Sequence, residues 1–227
     1  MNDVAVIIPT YNEAKTIALV IDRLPQSGCD VIVVDDSTDN TAGAALRAGA
    51  ACVIGGGHVR RGIGPSVRQG LYYALERYYK YIVVMDAGLS HVPELVAPLV
   101  YKARTTSCDV VIASRFLDRK VRKKTFRYYL SRCATIIYNL LMRGTCVRVT
   151  DATTSFRCYT RAAVSEILEH PLVGKYFETH PELLVVAARA GLHVCEIAHP
   201  YILTNSTFRW KMALSSLRMV WRLLKGV

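Results

Sequence analysis

The chain has 227 residues, of which 52% are hydrophobic and 21% charged, so it can form a substantial core and is neither disordered nor a disulfide scaffold. No apolar run reaches the roughly 18 residues of a transmembrane helix, and the start does not resemble a signal peptide, so neither is expected. The net charge is +11: residues 1–100 hold 8 Lys/Arg and 10 Asp/Glu, whereas residues 101–227 hold 21 and 8. The basic second half suggests an anionic partner, although a basic solvated surface would give the same charge.

Short apolar runs alternate with helical segments in the first half of the chain. Buried strands are predicted at 4–8, 31–34, 51–54, 81–85 and 110–113, with helices between them at 14–24, 41–49, 64–79 and 93–104. This alternation is typical of βαβ units and a parallel sheet.

The pattern changes after residue 114. A polar, basic stretch at 115–132 precedes a long helix that ends near residue 143, then a strand at 155–159, helices at 161–169 and 179–190, and a strand at 194–197. No linker or internal repeat interrupts the chain, so we expect one domain over residues 1–227.

Seven cysteines occur, an odd number, and no pair has the Cys-x-x-Cys spacing. This usage favours reduced, mostly buried thiols over a zinc site or a disulfide framework. We therefore expect a cytoplasmic protein, and the basic second half is compatible with a peripheral position on the cytoplasmic membrane face.

Polar residues follow three of the predicted strands. They are Pro9-Thr10-Tyr11-Asn12-Glu13, Asp35-Asp36-Ser37-Thr38-Asp39 and Asp86-Ala87-Gly88-Leu89-Ser90-His91. Ligands of open parallel sheets bind beyond the carboxyl ends of the strands. Each motif alone could be an ordinary helix N-cap, but three together favour a site for ribose hydroxyls, a base edge or a divalent cation that holds a pyrophosphate.

A glycine pair, Arg61-Gly62-Ile63-Gly64, precedes a predicted helix. It follows the third strand rather than the first, so it is not the dinucleotide-binding fingerprint, and the chain has no P-loop sequence. Nicotinamide-dependent oxidoreductases and P-loop phosphotransferases are therefore excluded.

In their order along the chain, these motifs resemble family 2 glycosyltransferases with the GT-A fold, in particular the dolichol- and polyprenol-phosphate mannose synthases. The resemblance runs from about residue 3 to residue 225, and the further motifs that carry it are Ala113-Ser114-Arg115-Phe116, Ser131-Arg132 and Asp151-Ala152-Thr153-Thr154-Ser155-Phe156-Arg157. It implies an α/β, Rossmann-like GT-A fold: a mostly parallel central sheet flanked by helices, with a basic acceptor-side flap and a C-terminal amphipathic helix. Residues 1–114 would bind the nucleotide-sugar and residues 115–227 the acceptor.

The resemblance also implies roles for single residues. Asp86, Asp151 and Arg115 would be catalytic. The donor would be bound by Pro9, Tyr11, Glu13, Asp36, Asp86 and Ala87, and phosphates of the acceptor by Arg115, Arg132, Arg157 and Lys211.

Asp86 would also hold a divalent cation, Mg²⁺ or Mn²⁺. The family's metal motif is Asp-x-Asp, and Gly88 stands where its second Asp belongs, so the cation should be weakly held. Ser155 stands where the family usually has Gly.

The implied function is inverting transfer of a sugar from a nucleotide-sugar to a phosphate-bearing acceptor, most simply polyprenol phosphate. A phosphate acceptor is already anionic at neutral pH, so it needs arginines that position it rather than a strong general base. An anionic membrane surface would be a further partner.

Two alternatives remain open. The basic half could instead bind nucleic acid and transfer sugar to a hydroxymethylated base, with Asp151 or Glu182 as general base. The chain could also be a degenerate GT-A domain that only binds, because Gly88 removes a metal ligand.

The C-terminal segment predicts an amphipathic helix. One face carries Trp210, Ala213, Leu214, Leu217, Trp221 and Leu224, and another carries Lys211, Arg218, Arg222 and Lys225. This composition suits a helix at a membrane interface and equally a helix packed on the core with its basic residues in water.

Overall fold

The computed structural model of the protein describes residues 2–25, 28–55, 60–117, 125–200, 202 and 210–225, with the backbone alone at 210–214. These residues form seven strands, β1 (Val4–Thr10), β2 (Cys29–Asp35), β3 (Cys52–Gly55), β4 (Tyr81–Val84), β5 (Val110–Ser114), β6 (Arg157–Thr160) and β7 (Val194–Ala198). The helices are α1 (Ile17–Asp22), α2 (Thr41–Arg47), α3 (Ile63–Glu76), α4 (Val96–Thr105), α5 (Phe126–Leu141), α6 (Arg161–Leu168), α7 (Thr179–Arg189) and α8 (Trp210–Lys225). A 3₁₀ turn, Pro93–Leu95, leads into α4.

Every predicted strand and helix has a counterpart among these elements, with ends that differ by a few residues. The basic stretch 115–132 is the exception, because its second part is helical. Thr125 accepts a hydrogen bond from the Tyr128 N–H through its hydroxyl, and this N-cap starts α5 inside the stretch predicted to be irregular. Residues 118–124 of the expected flap lie outside the described residues.

The strands form one sheet in the order β3-β2-β1-β4-β6-β5-β7. All neighbours are parallel except β6, which runs antiparallel to both β4 and β5. The expected mostly parallel sheet is therefore confirmed. Since β1, β2, β4 and β5 point the same way, the residues that follow them meet along one edge of the sheet.

Helices cover both faces of the sheet. Successive strand residues point to opposite faces, so Ile7 packs in one apolar cluster while Val6 and Ile8 pack in the other. The first cluster includes residues of α3, α5, α6, α7 and α8, and the second includes residues of α1, α2 and α4. This two-sided burial explains why the strands are continuous apolar runs.

The sequence left open whether the C-terminal helix packs on the core or presents an apolar face outward, and α8 does both. Met219 and Leu223 are buried in the core, so α8 packs on the domain. Leu217, Trp221 and Leu224 nevertheless remain exposed. None of the described helices combines the length and the apolar character needed to span a bilayer.

The prediction that all cysteines are reduced is wrong for one pair. A disulfide joins Cys108, just before β5, to Cys195 in β7. Residues 87 positions apart meet because β5 and β7 are neighbours in the sheet, and the cysteine spacing alone could not reveal this. The prediction of mostly buried thiols also fails, since Cys133 and Cys146 are exposed.

The packing of α3 on the sheet depends on Gly70. A Cβ at this position would come within 2.4 Å of Ile7 Cγ2 and 3.2 Å of Val34 Cγ2, both in the buried core. We expect Gly70→Ala to lower the free energy of unfolding by about 1–3 kcal/mol, because neither neighbour can move away without disturbing the sheet.

Gly43→Ala in α2 is the matched control, because its Cβ would meet mainly the side chain of the exposed Asn40, which can turn aside. Alanine raises helix propensity, so this variant should be neutral or slightly stabilising. Urea unfolding of both variants measures the difference, and equal effects would contradict the close packing of α3.

Candidate active site

The carboxyl ends of β1, β2, β4 and β5 line the candidate site. Asp36 follows β2, Asp86 follows β4 after one residue, and Arg115 follows β5 directly. The loop after β1 is tied to the loop after β2, because the Asn12 N–H donates to Ser37 Oγ (2.7 Å) and the Asn12 side-chain oxygen accepts from the Thr38 N–H (2.9 Å). Hydrogen bonds thus join the loops after β1 and β2 at the edge of the sheet that the sequence predicts.

Asp36, predicted to contact the base or ribose, is buried behind Arg61. The Arg61 guanidinium donates to Asp36 Oδ1 from Nε (2.8 Å) and Nη2 (2.6 Å), and the Ser66 hydroxyl donates to Oδ2 (3.0 Å). The carboxylate therefore orients Arg61, whose side chain keeps 37% of its surface exposed.

Three further residues predicted to bind the donor, Pro9, Tyr11 and Glu13, lie in β1 and in the loop that follows it. Tyr11 is exposed, and the Arg60 guanidinium lies 4.3 Å from the centre of its ring. Pro9 is half-buried within β1, and Glu13 accepts from the Thr16 hydroxyl (2.7 Å) at the start of α1. The sequence assigns no role in donor binding to Arg60 or to the Arg61 of the glycine motif, because a two-residue basic pair before a glycine carries little signal.

Asp86 is held by two neighbours that the sequence did not connect. The Ser155 hydroxyl donates to Asp86 Oδ1 (2.9 Å), and the Asp86 N–H donates to His91 Nδ1 (3.1 Å). Since Nδ1 is an acceptor, the neutral imidazole carries its proton on Nε2, which lies 3.4 Å from Ser155 Oγ. Asp86 is partly exposed, whereas the adjacent Ala87 is buried.

His91 is neutral at physiological pH. Burial, assisted by the positive charge of Arg115, lowers the pKa of His91 to about 3. The 3.9 Å approach of His91 Nε2 to Asp86 Oδ2 is therefore a contact between a neutral ring and a carboxylate. Phe156 stacks on the His91 ring with their centres 4.9 Å apart, which fixes the orientation of the imidazole.

Asp151 organises the part of the site that lies beside the carboxyl end of β5. Its oxygens accept from Arg115 Nε (2.7 Å) and Nη2 (2.9 Å), and Arg115 Nη2 also donates to Thr153 Oγ1 (2.6 Å). Glu196 in β7 accepts from the N–H groups of Thr150 (2.8 Å) and Asp151 (3.1 Å) and so fixes the loop. Burial alone would raise the pKa of Asp151, but the charge and hydrogen bonds of Arg115 outweigh it and hold that pKa below its usual range.

Asp151 is fully buried, so its place in the structure is that of a residue that positions Arg115. Arg115 retains 21% side-chain exposure beside the carboxyl end of β5. Arg132 in α5 lies on the same side: its guanidinium and that of Arg115 are each 5.4 Å from the centre of the Phe116 ring. Two of the predicted phosphate-binding arginines are therefore brought together.

Arg157, a third residue predicted to bind phosphate, does not join this pair. Arg157 is fully buried in β6, and its guanidinium donates to the backbone oxygens of His180 (2.5 Å) and Ala152 (2.7 Å). It therefore links α7 to the 151–156 loop, and a direct phosphate contact by Arg157 is inconsistent with its burial. The side chain of Lys211 lies outside the described residues.

Glu182 is also held by backbone groups. Its two oxygens accept from the N–H groups of Val173 and Gly174, each at 2.8 Å, and the side chain is buried. Burial raises the pKa of Glu182, while these hydrogen bonds act in the opposite direction. The arrangement fixes the loop before α7.

The described residues contain no cluster of three or more His, Cys, Asp or Glu that would bind a metal ion by itself. A Cβ built on Gly88 meets no atom within 4 Å, so the space around position 88 is open. Mg²⁺ is commonly held by one or two carboxylates together with substrate phosphates. Asp86 thus fits a cation that is shared with a diphosphate, rather than a site complete in the protein alone.

The profile of one family, described as glycosyl transferase family 2, matches residues 5–168. The chain belongs to this family. The predictions of a family 2 glycosyltransferase and of an enzyme are therefore confirmed.

Individual relatives agree with this. The chain is 31% identical over 209 residues to an undecaprenyl-phosphate mannosyltransferase of Micrococcus luteus, covering 88% of this chain and 83% of the relative. It is 28% identical over 242 residues to a UDP-N-acetylglucosamine–dolichyl-phosphate N-acetylglucosaminyltransferase of Methanococcus voltae, covering 96% and 93%.

The solved structure of glucosyl-3-phosphoglycerate synthase from Mycobacterium tuberculosis with Mn²⁺, UDP and glucosyl-3-phosphoglycerate has a TM-score of 0.72 to this chain. The match covers 98% of this chain and 78% of the synthase at 19% identity. This similarity confirms the GT-A fold.

Buried histidines make the stability of this region depend on pH. Burial lowers the pKa of His180 to about 3 and that of His199 to about 4; the charges facing them are Asp86, Arg157 and His91 for His180, and His91, Arg115 and Asp151 for His199. In the unfolded chain histidine titrates near about 6.5. Both contributions are thus fully present above that pH and are lost as the pH falls towards the folded-state values.

We expect each of the two histidines to reduce the free energy of unfolding by up to about 1.4 kcal/mol per pH unit between roughly pH 6 and pH 4. Denaturant titrations of His180→Gln should show a pH slope that is shallower by this amount than that of the wild-type chain. The exposed His170→Gln variant is the control and should keep the wild-type slope. Equal slopes for wild type and His180→Gln would show that His180 is not buried in its neutral form.

Proposed function

We propose that this glycosyltransferase moves a sugar from a nucleotide-sugar to a polyprenyl phosphate at an anionic membrane surface, with inversion at the anomeric carbon. The observation that carries the proposal is that the guanidinium groups of Arg115 and Arg132 both approach Phe116, each 5.4 Å from its ring centre, at the edge of the sheet that also presents Asp86. Two guanidinium groups are suited to a phosphate, which they can bind through several charged hydrogen bonds. The names of the two relatives, each with a lipid phosphate acceptor, support the same class.

In the proposed reaction, an oxygen of the acceptor phosphate attacks the anomeric carbon of the sugar. The new carbon–oxygen bond forms as the bond to the nucleoside diphosphate breaks, and the diphosphate leaves with the electron pair. An anionic phosphate needs no base, which agrees with a neutral His91 and with an Asp151 whose oxygens are occupied by Arg115. Arg115, fixed by Asp151, and Arg132 would orient the attacking phosphate.

The donor would lie over the ends of β1, β2 and β4. We assign Tyr11 and Arg61 to the nucleotide side, with Asp36 orienting Arg61. Asp86 would face the diphosphate and share a weakly held Mg²⁺ or Mn²⁺ with it; when bound, this cation would stabilise the charge of the leaving group. Residues 1–114 would then serve the donor and residues 115–227 the acceptor, as the sequence suggests.

We place the protein peripherally on the cytoplasmic face of a membrane. The alternative nucleic-acid acceptor has no support from the family or from the named relatives. A degenerate domain that only binds is opposed by the geometry, which keeps Asp86 partly exposed and Arg115 oriented.

The function is tested by incubating the protein with a panel of nucleotide-sugars and a short-chain polyprenyl phosphate in detergent, or with hydroxymethylated duplex DNA. We expect transfer to the lipid phosphate alone. Transfer to DNA, or donor binding without transfer to either acceptor, would refute the proposal.

Asp86 provides a direct test of the donor side. Asp86→Ala should reduce the turnover number by at least about a hundredfold, the scale of a lost contact to developing charge in the transition state. Asp22→Ala, at the exposed end of α1, is the control and should retain wild-type turnover. Near-normal transfer by the Asp86 variant would remove Asp86 from the mechanism.

The open space at Gly88 allows the cation site to be strengthened. Gly88→Asp should raise the affinity for Mn²⁺ in the presence of UDP by roughly tenfold or more, because a second carboxylate would be added without a steric clash. The neutral Gly88→Asn variant has nearly the same size and should change it far less. Electron paramagnetic resonance of free Mn²⁺ measures the affinity without turnover, and equal values for the two variants would argue against a cation at Asp86.

A further inference from the structure

The outward surface of α5 is apolar. Six large side chains of this helix are between 40% and 73% exposed, and they are Phe126, Tyr129, Leu130, Ile136, Ile137 and Leu140. At 3.6 residues per turn, these residues and the exposed Cys133 lie within a stripe about 120° wide that runs the length of the helix. Exposed apolar stripes of this size mark interaction sites rather than ordinary surface.

The inward surface of the same helix is more polar than the outward one. Thr135 and Tyr138 are its buried residues, and Asn139 reaches inward to donate to the Val149 carbonyl oxygen (2.9 Å). A helix on the surface of a globular protein normally buries its apolar stripe. Burial within the domain therefore does not explain why the outward side chains of α5 are apolar.

The neighbouring helix extends this surface. α8 packs against α5 and exposes Leu217, Trp221 and Leu224, and the Lys225 ammonium lies 3.8 Å from the centre of a Trp221 ring. We call the exposed residues of the two helices the α5–α8 surface. It comprises the six α5 side chains above and Leu217, Trp221 and Leu224.

The charge of α5 and α8 indicates the kind of partner that suits the α5–α8 surface. The two helices together contain six Lys/Arg and no Asp or Glu. By helical geometry, Arg127 and Arg132 lie on the two sides of the apolar stripe, and both are exposed. An apolar stripe flanked by basic residues is the composition of a helix that lies in the headgroup region of an anionic bilayer.

A second copy of the chain fits the same surface less well. A symmetric dimer would place the α5–α8 surface of one protomer on that of the other, and so bring arginines together with no carboxylate on either helix to pair with them. Like charges that meet at an interface oppose association.

The α5–α8 surface is also continuous with the candidate site. α5 begins beside Phe116, whose ring lies 5.2 Å from that of Tyr128 and has the guanidinium groups of Arg115 and Arg132 each 5.4 Å from its centre. A lipid phosphate at the level of the headgroups would therefore meet these arginines while its chain stays in the bilayer.

We propose that the α5–α8 surface docks this protein into the headgroup layer of an anionic bilayer, with α5 as its main apolar contact. The inference rests on the proposed lipid phosphate acceptor and adds the surface by which the enzyme reaches it. Insertion of the α5 stripe, together with attraction of the flanking arginines to anionic lipids, would hold the acceptor side of the site against the membrane.

Co-sedimentation with vesicles of phosphatidylcholine and phosphatidylglycerol tests the proposal. We expect binding at least about thirtyfold weaker with phosphatidylcholine alone, because two contacts of a basic residue with anionic lipid are together worth roughly this factor. Ile136→Glu and Leu140→Glu should each weaken binding about tenfold or more, since a carboxylate replaces an inserted side chain. Leu46→Glu in α2, where the leucine is 55% exposed, is the matched control and should bind like the wild-type chain.

Transfer to a short-chain polyprenyl phosphate in detergent separates docking from chemistry. Ile136→Glu should retain this transfer, which also shows that the variant is folded. Vesicle binding that depends on Ile136, in a protein that transfers no sugar to polyprenyl phosphate, would support the docking surface and refute the proposed function.

Three results would overturn the docking inference and leave the proposed transfer of a sugar to a lipid phosphate standing. They are transfer to the soluble acceptor by a chain that ignores vesicles, vesicle binding that is unchanged in both glutamate variants, and a dimer in sedimentation velocity that Ile136→Glu dissociates while vesicle binding is absent.

Discussion

The buried ion pair of Asp151 and Arg115 holds together the half of the candidate site that we propose faces the acceptor. A carboxylate without solvent exposure is tolerated only when its charge is compensated, and here Arg115 and backbone N–H groups supply that compensation. The loop that carries Asp151 is anchored in turn by Glu196, on the strand next to β5. Removal of the Asp151 side chain would therefore leave the Arg115 guanidinium without the partner that orients it. It would also leave the N–H groups of the loop without the carboxylate that accepts their hydrogen bonds.

Near this pair lie three buried imidazoles, together with the charged side chain of Arg157. His91, His180 and His199 are buried near one another and near Phe156, and each is held neutral by burial. A neutral imidazole can still orient a neighbour by hydrogen bonds, as His91 does for the Asp86 backbone. Asp86 is thus placed by uncharged groups, so its own negative charge remains available to a ligand rather than being cancelled within the protein.

The sequence predicted the strands and helices well because their apolar runs are continuous and their separators are strong. It also predicted that Asp36 and Asp86 would share one edge with the loop after the first strand, since this follows from parallel strand direction. It could not show that Arg157 is buried, because the guanidinium is satisfied by the backbone oxygens of Ala152 and His180, and His180 lies on a different element, α7. Nor could hydropathy show the orientation of α5: a stripe containing Ile136 and Leu140 predicts a core-facing side, and only the packing of Tyr138 inward shows the reverse.

The open space at Gly88 has a consequence for how this enzyme can diverge. Substitution at Gly70 or Gly64 would push a Cβ into packed neighbours, whereas a side chain at position 88 would meet none. Natural variation at this position is therefore nearly free of a stability penalty, in contrast to most changes in a folded protein. A carboxylate at position 88 could therefore be gained or lost while the fold, the sheet edge and the arginines remain unchanged.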